Sequence, residues 1–142
     1  VSDFHAAKRG REEMVNLLFS FQGRVNRAKW WLTLIATDIV GIILIAIVLS
    51  VLGGGVTVDP ATGTPKMSGG GAATAISIVI YIAMLWVSLS LSIRRYHDHG
   101  KPGWWVLLAF VPIANIWYLI ECGFLKGTTG PNAYGPDPLG GV

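Results

Sequence analysis

The chain has 142 residues, of which 52% are hydrophobic and 13% charged, and a formal net charge of +3; its mean hydropathy is +0.55. A soluble domain carries about a quarter charged residues, so this composition is wrong for a surface that faces water, and a chain of this length that spans a bilayer several times has little left over for a soluble catalytic domain. Nine of the eleven Lys and Arg residues lie between Lys8 and Lys29 or between Arg94 and Lys101; beside long apolar runs such clusters mark the cytoplasmic side of a membrane, not a nucleic-acid footprint.

Residues 1–13 are polar and without pattern, and a disordered leader is expected there. Arg11-Glu12-Glu13 allow purine-rich codons of ribosome-binding type before Met14, so translation is expected to start at Met14; N-terminal mass spectrometry tests this. Met14, Leu17, Leu18 and Phe21 fall at i, i+3, i+4 and i+7, the stripe of a short helix over 14–22. Flanking basic residues fit a helix lying in the membrane interface; an extension of the next helix fits equally, with Gly23 as the break.

Trp30 to Leu52 is the first span, about 34 Å as a helix against a hydrocarbon core of about 30 Å. Trp30 and Trp31 stand where an aromatic belt belongs, with Arg24, Arg27 and Lys29 just outside. The apolar run is too long for a secretory signal, whose core is about 7–15 residues. Residues 53–73 are a linker rich in Gly, Pro and Thr without net charge, expected on the periplasmic side. Thr74 to Ile93 is the second span, in which Ser88, Ser90 and Ser92 either admit a close neighbouring helix or bond their own backbone. The loop 94–103, RRYHDHGKPG, returns to the cytoplasmic side. The third segment, 104–125, contains Pro112 and is expected as one kinked crossing, with a re-entrant turn as the alternative. The tail, 126–142, is dense in Gly and Pro and should form turns. Cys122 is the single cysteine, so no intrachain disulfide forms.

Four pieces, FQGRVNRAKWW at 21–31, RRYHDHGKPGWW at 94–105, Pro112 in the apolar run, and GTTGPNAYGPDP at 127–138, together resemble the bacterial inner-membrane family called domain of unknown function 805. The resemblance implies a fold and a location without an activity. It places the family pattern on Gly23, Arg24, Arg27, Trp31, Arg94, Arg95, His97, Asp98, Gly100, Gly103, Trp104, Trp105, Gly130, Asn132, Tyr134, Gly135, Asp137 and Pro138. Tyr96 and Pro102 depart from it, where an aliphatic and a small polar residue are usual.

Arg24, Arg27, Arg94 and Arg95 should meet at one membrane face. Arginines suit bidentate capture of phosphate or carboxylate, so the two readings are an anionic-lipid or ligand site with Asp98 orienting a guanidinium, and topology signalling with a loop-fixing salt bridge to Asp98. His97-Asp98-His99 lacks the further ligands a zinc site needs, and no metal or cofactor is expected. Asp38 lies about 12 Å into the first span; it is either part of a proton or cation path or hydrogen-bonded to Asn115 or a serine, with Asn115 about 16 Å into the third segment. Glu121 should lie near the external interface. No Walker-type loop, nucleophile elbow or zinc-protease helix is present.

The expected architecture is therefore an all-α multi-pass inner-membrane protein with three hydrophobic segments, a short N-terminal interfacial helix and a cytoplasmic N-terminus. The expected role is a non-enzymatic scaffold or accessory subunit in contact with membrane lipids and with other membrane subunits or itself. The alternatives are a small oligomeric transporter or channel using Asp38, and an anionic-lipid or signal sensor using the arginines.

Overall fold

The computed structural model describes residues 2–53, 55–68 and 70–140. In chain order they form α1 (Ser2–Phe19), α2 (Arg27–Val51), β1 (Gly55–Val58), β2 (Pro65–Ser68), α3 (Gly71–Asp98), a 3₁₀ helix (Gly103–Phe110) and α4 (Ala114–Gly123). Helix α1 begins within the stretch expected to be disordered, so 2–19 is one helix and no separate one covers 14–22. Its exposed pair Lys8–Glu12, one turn apart, supports that helix locally.

Contacts divide the chain into two compact units, one reaching to Leu34 and resuming at Trp86, the other Ile35–Leu85. In the second unit, Gly41 is buried and packs on Met84, whose sulfur would overlap any Cβ at position 41. This is small-residue packing of the kind helices use in lipid. Around that contact the large apolar side chains point outward, Ile42, Val79 and Ile82 among them. With 25 and 28 residues, α2 and α3 are both long and apolar enough to cross a bilayer.

The linker expected at 53–73 carries a β-hairpin, an addition to the all-α reading. Val56, Thr57 and Val58 suit a strand, and β1 pairs antiparallel with β2 in the register Val56↔Met67 and Thr57↔Lys66. Asp59 closes the turn. Its N–H donates to Thr64 O at 2.9 Å, its carboxylate accepts from Ala61 N at 2.9 Å, and Lys66 pairs with it at 2.7 Å.

In the first unit, Asn26 caps α2 by accepting from Lys29 N at 2.8 Å. Helix α3 does not stop at Ile93: it continues through Asp98, which sets Arg95 and Asp98 one turn apart on one side. It ends in a glycine cap, with Gly100 at φ 72°, Lys101 N donating to Tyr96 O and Gly100 N to His97 O, both at 3.0 Å. The loop between α3 and the 3₁₀ helix is thus shorter than the expected 94–103.

The third segment is not one kinked helix. Pro112 and Ile113 part it into two arms, the 3₁₀ helix of about 16 Å and α4 of about 15 Å. Ile113 turns the chain at φ 71°, ψ −48°, where Pro112 O accepts from Ala114 N at 2.8 Å, the geometry of a γ-turn. The arms return to each other, because Lys101 Nζ lies 2.5 Å from Glu121 Oε1 and 4.3 Å above the Trp105 ring. Glu121 is therefore at the α3 end of the segment, not at an opposite interface.

The core sits where these pieces meet: Val25, Trp30, Val87, Leu91, Tyr96, Val106 and Cys122 are buried together. Trp30 belongs to it instead of an aromatic belt, with its ring edge-on to Trp31 at 5.0 Å and to Tyr118 at 6.2 Å. Ser92 joins both serine readings, donating to Ser88 O at 2.7 Å and sharing a hydrogen bond with Tyr118 Oη at 2.7 Å. Ser90 donates to Leu18 O at 2.9 Å, tying α1 to α3.

Candidate functional site

The polar motif residues collect at the end of α3. Gly23 adopts φ 85°, a turn that lays the linker before α2 against α3, where Val25 N donates to Arg94 O at 3.3 Å. That places Arg24 and Arg95 on either side of Asp98. Arg24 Nε donates to Asp98 Oδ1 at 3.0 Å and its Nη2 lies 2.9 Å from the same oxygen. Arg95 Nη1 donates to Oδ2. The three side chains are at most 4% exposed.

The remaining donors of both guanidiniums point at backbone carbonyls. Arg24 reaches Thr128 O at 2.5 Å, Gly130 O at 2.6 Å and Gly135 O at 3.4 Å. Arg95 reaches Cys122 O at 2.7 Å, Val25 O at 3.4 Å and Leu125 O. Burying such a triad is costly, and the surplus hydrogen bonds are what make it sustainable. One carboxylate and two forks thereby join α3, the linker, the end of α4 and the tail.

The tail is shaped to receive them. Thr128 donates to Asp98 O through both its N–H, at 2.8 Å, and its hydroxyl, at 3.0 Å. Asn132 Nδ2 donates to His97 O at 2.9 Å, and its Oδ1 accepts from Tyr134 N at 2.8 Å. The Tyr134 ring stacks on His97 with centroids 4.0 Å apart and planes 3° apart, while His97 Nδ1 lies 3.3 Å from Gly23 O. Asp137 accepts from Gly130 N and Leu139 N, both at 2.9 Å. The Leu139 and Gly130 amides hold its carboxyl below the ordinary aspartate range. Gly135 takes φ 135°, and Pro138 follows beside Asp98 and Gly127.

Trp31 Nε1 donates to Gly123 O at 3.0 Å, and a Cβ on Gly123 would stand 3.0 Å from the Trp31 ring. Gly103 lies so close to Ile93 that a Cβ there would be 2.7 Å from Cγ2. Trp105 is half-buried and Trp104 exposed on the 3₁₀ arm. Arg27 is exposed and donates to Phe124 O at 3.2 Å. Arg94 turns the other way, donating to Asn16 O at 2.9 Å and lining an open groove with Lys29 and Glu13. The four arginines thus do not converge on one anion: two enclose Asp98 and two lie apart.

Asn115 and Asp38 have no part in the bonds described above. Asp38, in the second unit, is exposed, and among the described residues its carboxylate has no hydrogen bond or ion pair. The Asn115 side chain is exposed on α4. Within the second unit, among the described residues, no serine bonds to Asp38. His99 is half-buried; burial, and then the charge of Arg95, hold its imidazole below the ordinary value.

Gly127, Thr128 and the Lys101–Glu121 pair carry much of this arrangement and went unassigned in the sequence. Gly127 packs so tightly that a Cβ would overlap Asp98 Oδ2 and lie 2.9 Å from Asp98 O. The available signal was the run GTTGPN itself, a turn whose backbone oxygens are aimed inward.

These features define a mostly helical membrane protein in which a buried charged triad fastens the tail and the inter-helix linker to the end of α3. Over residues 18–136 the sequence matches the family described as "Protein of unknown function (DUF805)", and the chain belongs to that family. Among its relatives in Escherichia coli (strain K12), Inner membrane protein YhaH is 29% identical over 83% of this chain and 86% of its own. Inner membrane protein YhaI is 31% identical over 83% and 85%, and Uncharacterized protein YiiR 30% identical over 84% and 86%. No solved structure matches.

Proposed function

We propose that this chain is a non-enzymatic scaffold or accessory subunit of the bacterial inner membrane, packing laterally against a larger membrane complex. The observation that carries this reading is that the motif's polar groups are directed at the chain's own backbone. All the donors of Arg24 have partners within the chain, and both oxygens of Asp98 accept from arginines. A binding or reacting site keeps such groups for its ligand; here they produce a fixed shape. The apolar sides of α2 and α3, largely exposed, are then the surface available to lipid and partners.

In this reading the chain is multi-pass, with α1, residues 99–102 and the tail cytoplasmic and the β-hairpin periplasmic. The two arms of 104–125 each span about half of a 30 Å core and re-enter instead of crossing. Lys126, which lines a recess with Asp98 and, with Arg24, acts on Asp137, supports that side for the tail.

The test is gentle detergent extraction from native membranes, native-gel separation and mass spectrometry of the band. Migration with a stoichiometric set of other subunits is expected. A lone homo-oligomer, or complexes unchanged in composition and stability after gene deletion, overturns the reading. The groove beside α1 supports a second reading, in which Lys29 and Arg94 hold an anionic lipid headgroup. It predicts salt-sensitive binding to anionic liposomes that Arg94→Ala weakens.

A further inference from the structure

We infer that the exposed stripe Ile35, Asp38, Ile39, Ile42 on α2 is the docking seam for a membrane-spanning helix of another protein, and that this helix presents a basic side chain to Asp38. The inference rests on the accessory-subunit reading and names its contact surface. The four residues fall at i, i+3, i+4 and i+7, the spacing of a helix-packing seam. The isoleucines are 50%, 53% and 64% exposed in chain order. Gly41, closed against Met84, marks the side of α2 that packs within the chain; Asp38 flanks that side while Ile35, Ile39 and Ile42 turn away from it, and all four remain exposed.

Asp38 decides what the seam fits. It lies near the middle of a 25-residue helix long enough to span the bilayer, exposed, and without a hydrogen bond or ion pair among the described residues. An ionisable group in that position is costly against hydrocarbon and is ordinarily paired or turned to a cavity. A neighbouring helix that supplies a cation removes the cost, and the flanking isoleucines surround the pair with close packing. A second copy of this chain cannot supply the cation. Between Trp31 and Ile93 its single basic residue is Lys66, which lies in β2 and pairs with Asp59, and the segment 104–125 has none. Charge complementarity therefore selects a different protein with Lys, Arg or His inside a spanning helix.

The experiment places a photo-reactive residue at Ile42 of the full chain in native membranes, with Ile78 on α3 as the control position. Cross-linked peptides are identified by mass spectrometry, and the native-gel band is analysed in parallel. The expected result is a cross-link from Ile42 to one spanning helix that contains a basic residue. Its yield falls about tenfold in Asp38→Leu. It is lost in Asp38→Lys and restored when the partner's basic residue is changed to Asp. Because Asp38 is exposed, these variants keep their fold, which unchanged cross-linking at Ile78 and unchanged expression verify. A cross-link to a second copy, to a helix without a basic residue, or one indifferent to Asp38→Leu overturns the inference. Lipid adducts alone from Ile42, with other subunits still in the band, overturn the seam and leave the accessory-subunit reading standing. A band without other subunits overturns both.

Discussion

Replacing Asp98 with alanine removes the one acceptor shared by Arg24 Nε, Arg24 Nη2 and Arg95 Nη1. Charge-assisted hydrogen bonds contribute about 1.5–3 kcal/mol each, but the three share one carboxylate and do not add. Breaking a buried ion pair from one side costs about 3–5 kcal/mol, because the opposite charge is left unpaired. Here two guanidiniums are left, so the expected loss is at the upper end, about 5 kcal/mol. Denaturant titration in detergent micelles, followed by tryptophan fluorescence from Trp30, Trp31 and Trp105, measures it. A companion variant separates the two jobs of the triad. Replacing Arg24 and Arg95 with Met and Asp98 with Leu eliminates every charge of the triad, a change that elsewhere is neutral or stabilising. In this protein it also strips the partners from the carbonyls of Thr128, Gly130, Cys122 and Leu125, of which the Cys122 bond is buried and the others part-buried, so it should remain destabilising by about 1–3 kcal/mol. Wild-type stability in the triple variant, or a loss under about 1 kcal/mol in Asp98→Ala, would refute the claim that the triad braces the tail.

Gly127→Ala should release the tail, since the added methyl overlaps Asp98 Oδ2; limited proteolysis would then cut between 126 and 138 in the variant and not in the parent. Stability should also depend on pH through His99. Its folded value is depressed by burial and by Arg95, so its contribution is full above about 6.5, the unfolded value, and is lost as pH falls toward the folded one. Unfolding midpoints from pH 8 to 5 should decline below about 6.5, with a shallower decline in His99→Gln; an unaltered slope there removes His99 as the cause. For the re-entrant reading, Leu139→Cys should react with a membrane-impermeant maleimide in inverted vesicles and not in intact spheroplasts. Cys122 is buried and stays silent, and labelling from the outside would put the tail in the periplasm.

The two long helices were legible because an apolar run about as long as a bilayer is thick has few other readings. Their ends were less so: α3 gains the turn through Asp98 from a cap at Gly100 and from contacts with the tail, neither of which an apolar window registers. Val56–Val58 escaped notice because the glycine and proline around them read as linker. Pro112 marked the place where the third segment breaks, but whether the arms separate or return depends on Lys101 meeting Glu121, 20 residues apart in the sequence. The pairing of arginine with Asp98 could be proposed from charge alone. The tail's share could not, because a carbonyl oxygen belongs to every residue and leaves no mark in the sequence.

The separation between Arg24 and its carbonyl acceptors bears on how the molecule is made. Asp98 emerges from the ribosome 74 residues after Arg24 and Gly130 only 106 residues after it. At about 5–20 residues per second, that is a wait of roughly 5–20 s in which both apolar helices can enter the bilayer while the guanidinium is still solvated. Closure waits for Gly130, and the arginine that must leave water does so only when the tail segment is present to receive it. A product terminated before Thr128 would carry the same helices with Arg24 still in water and open to proteolysis, so the ring of contacts around Asp98 also reports that the segment through Gly130 has been made.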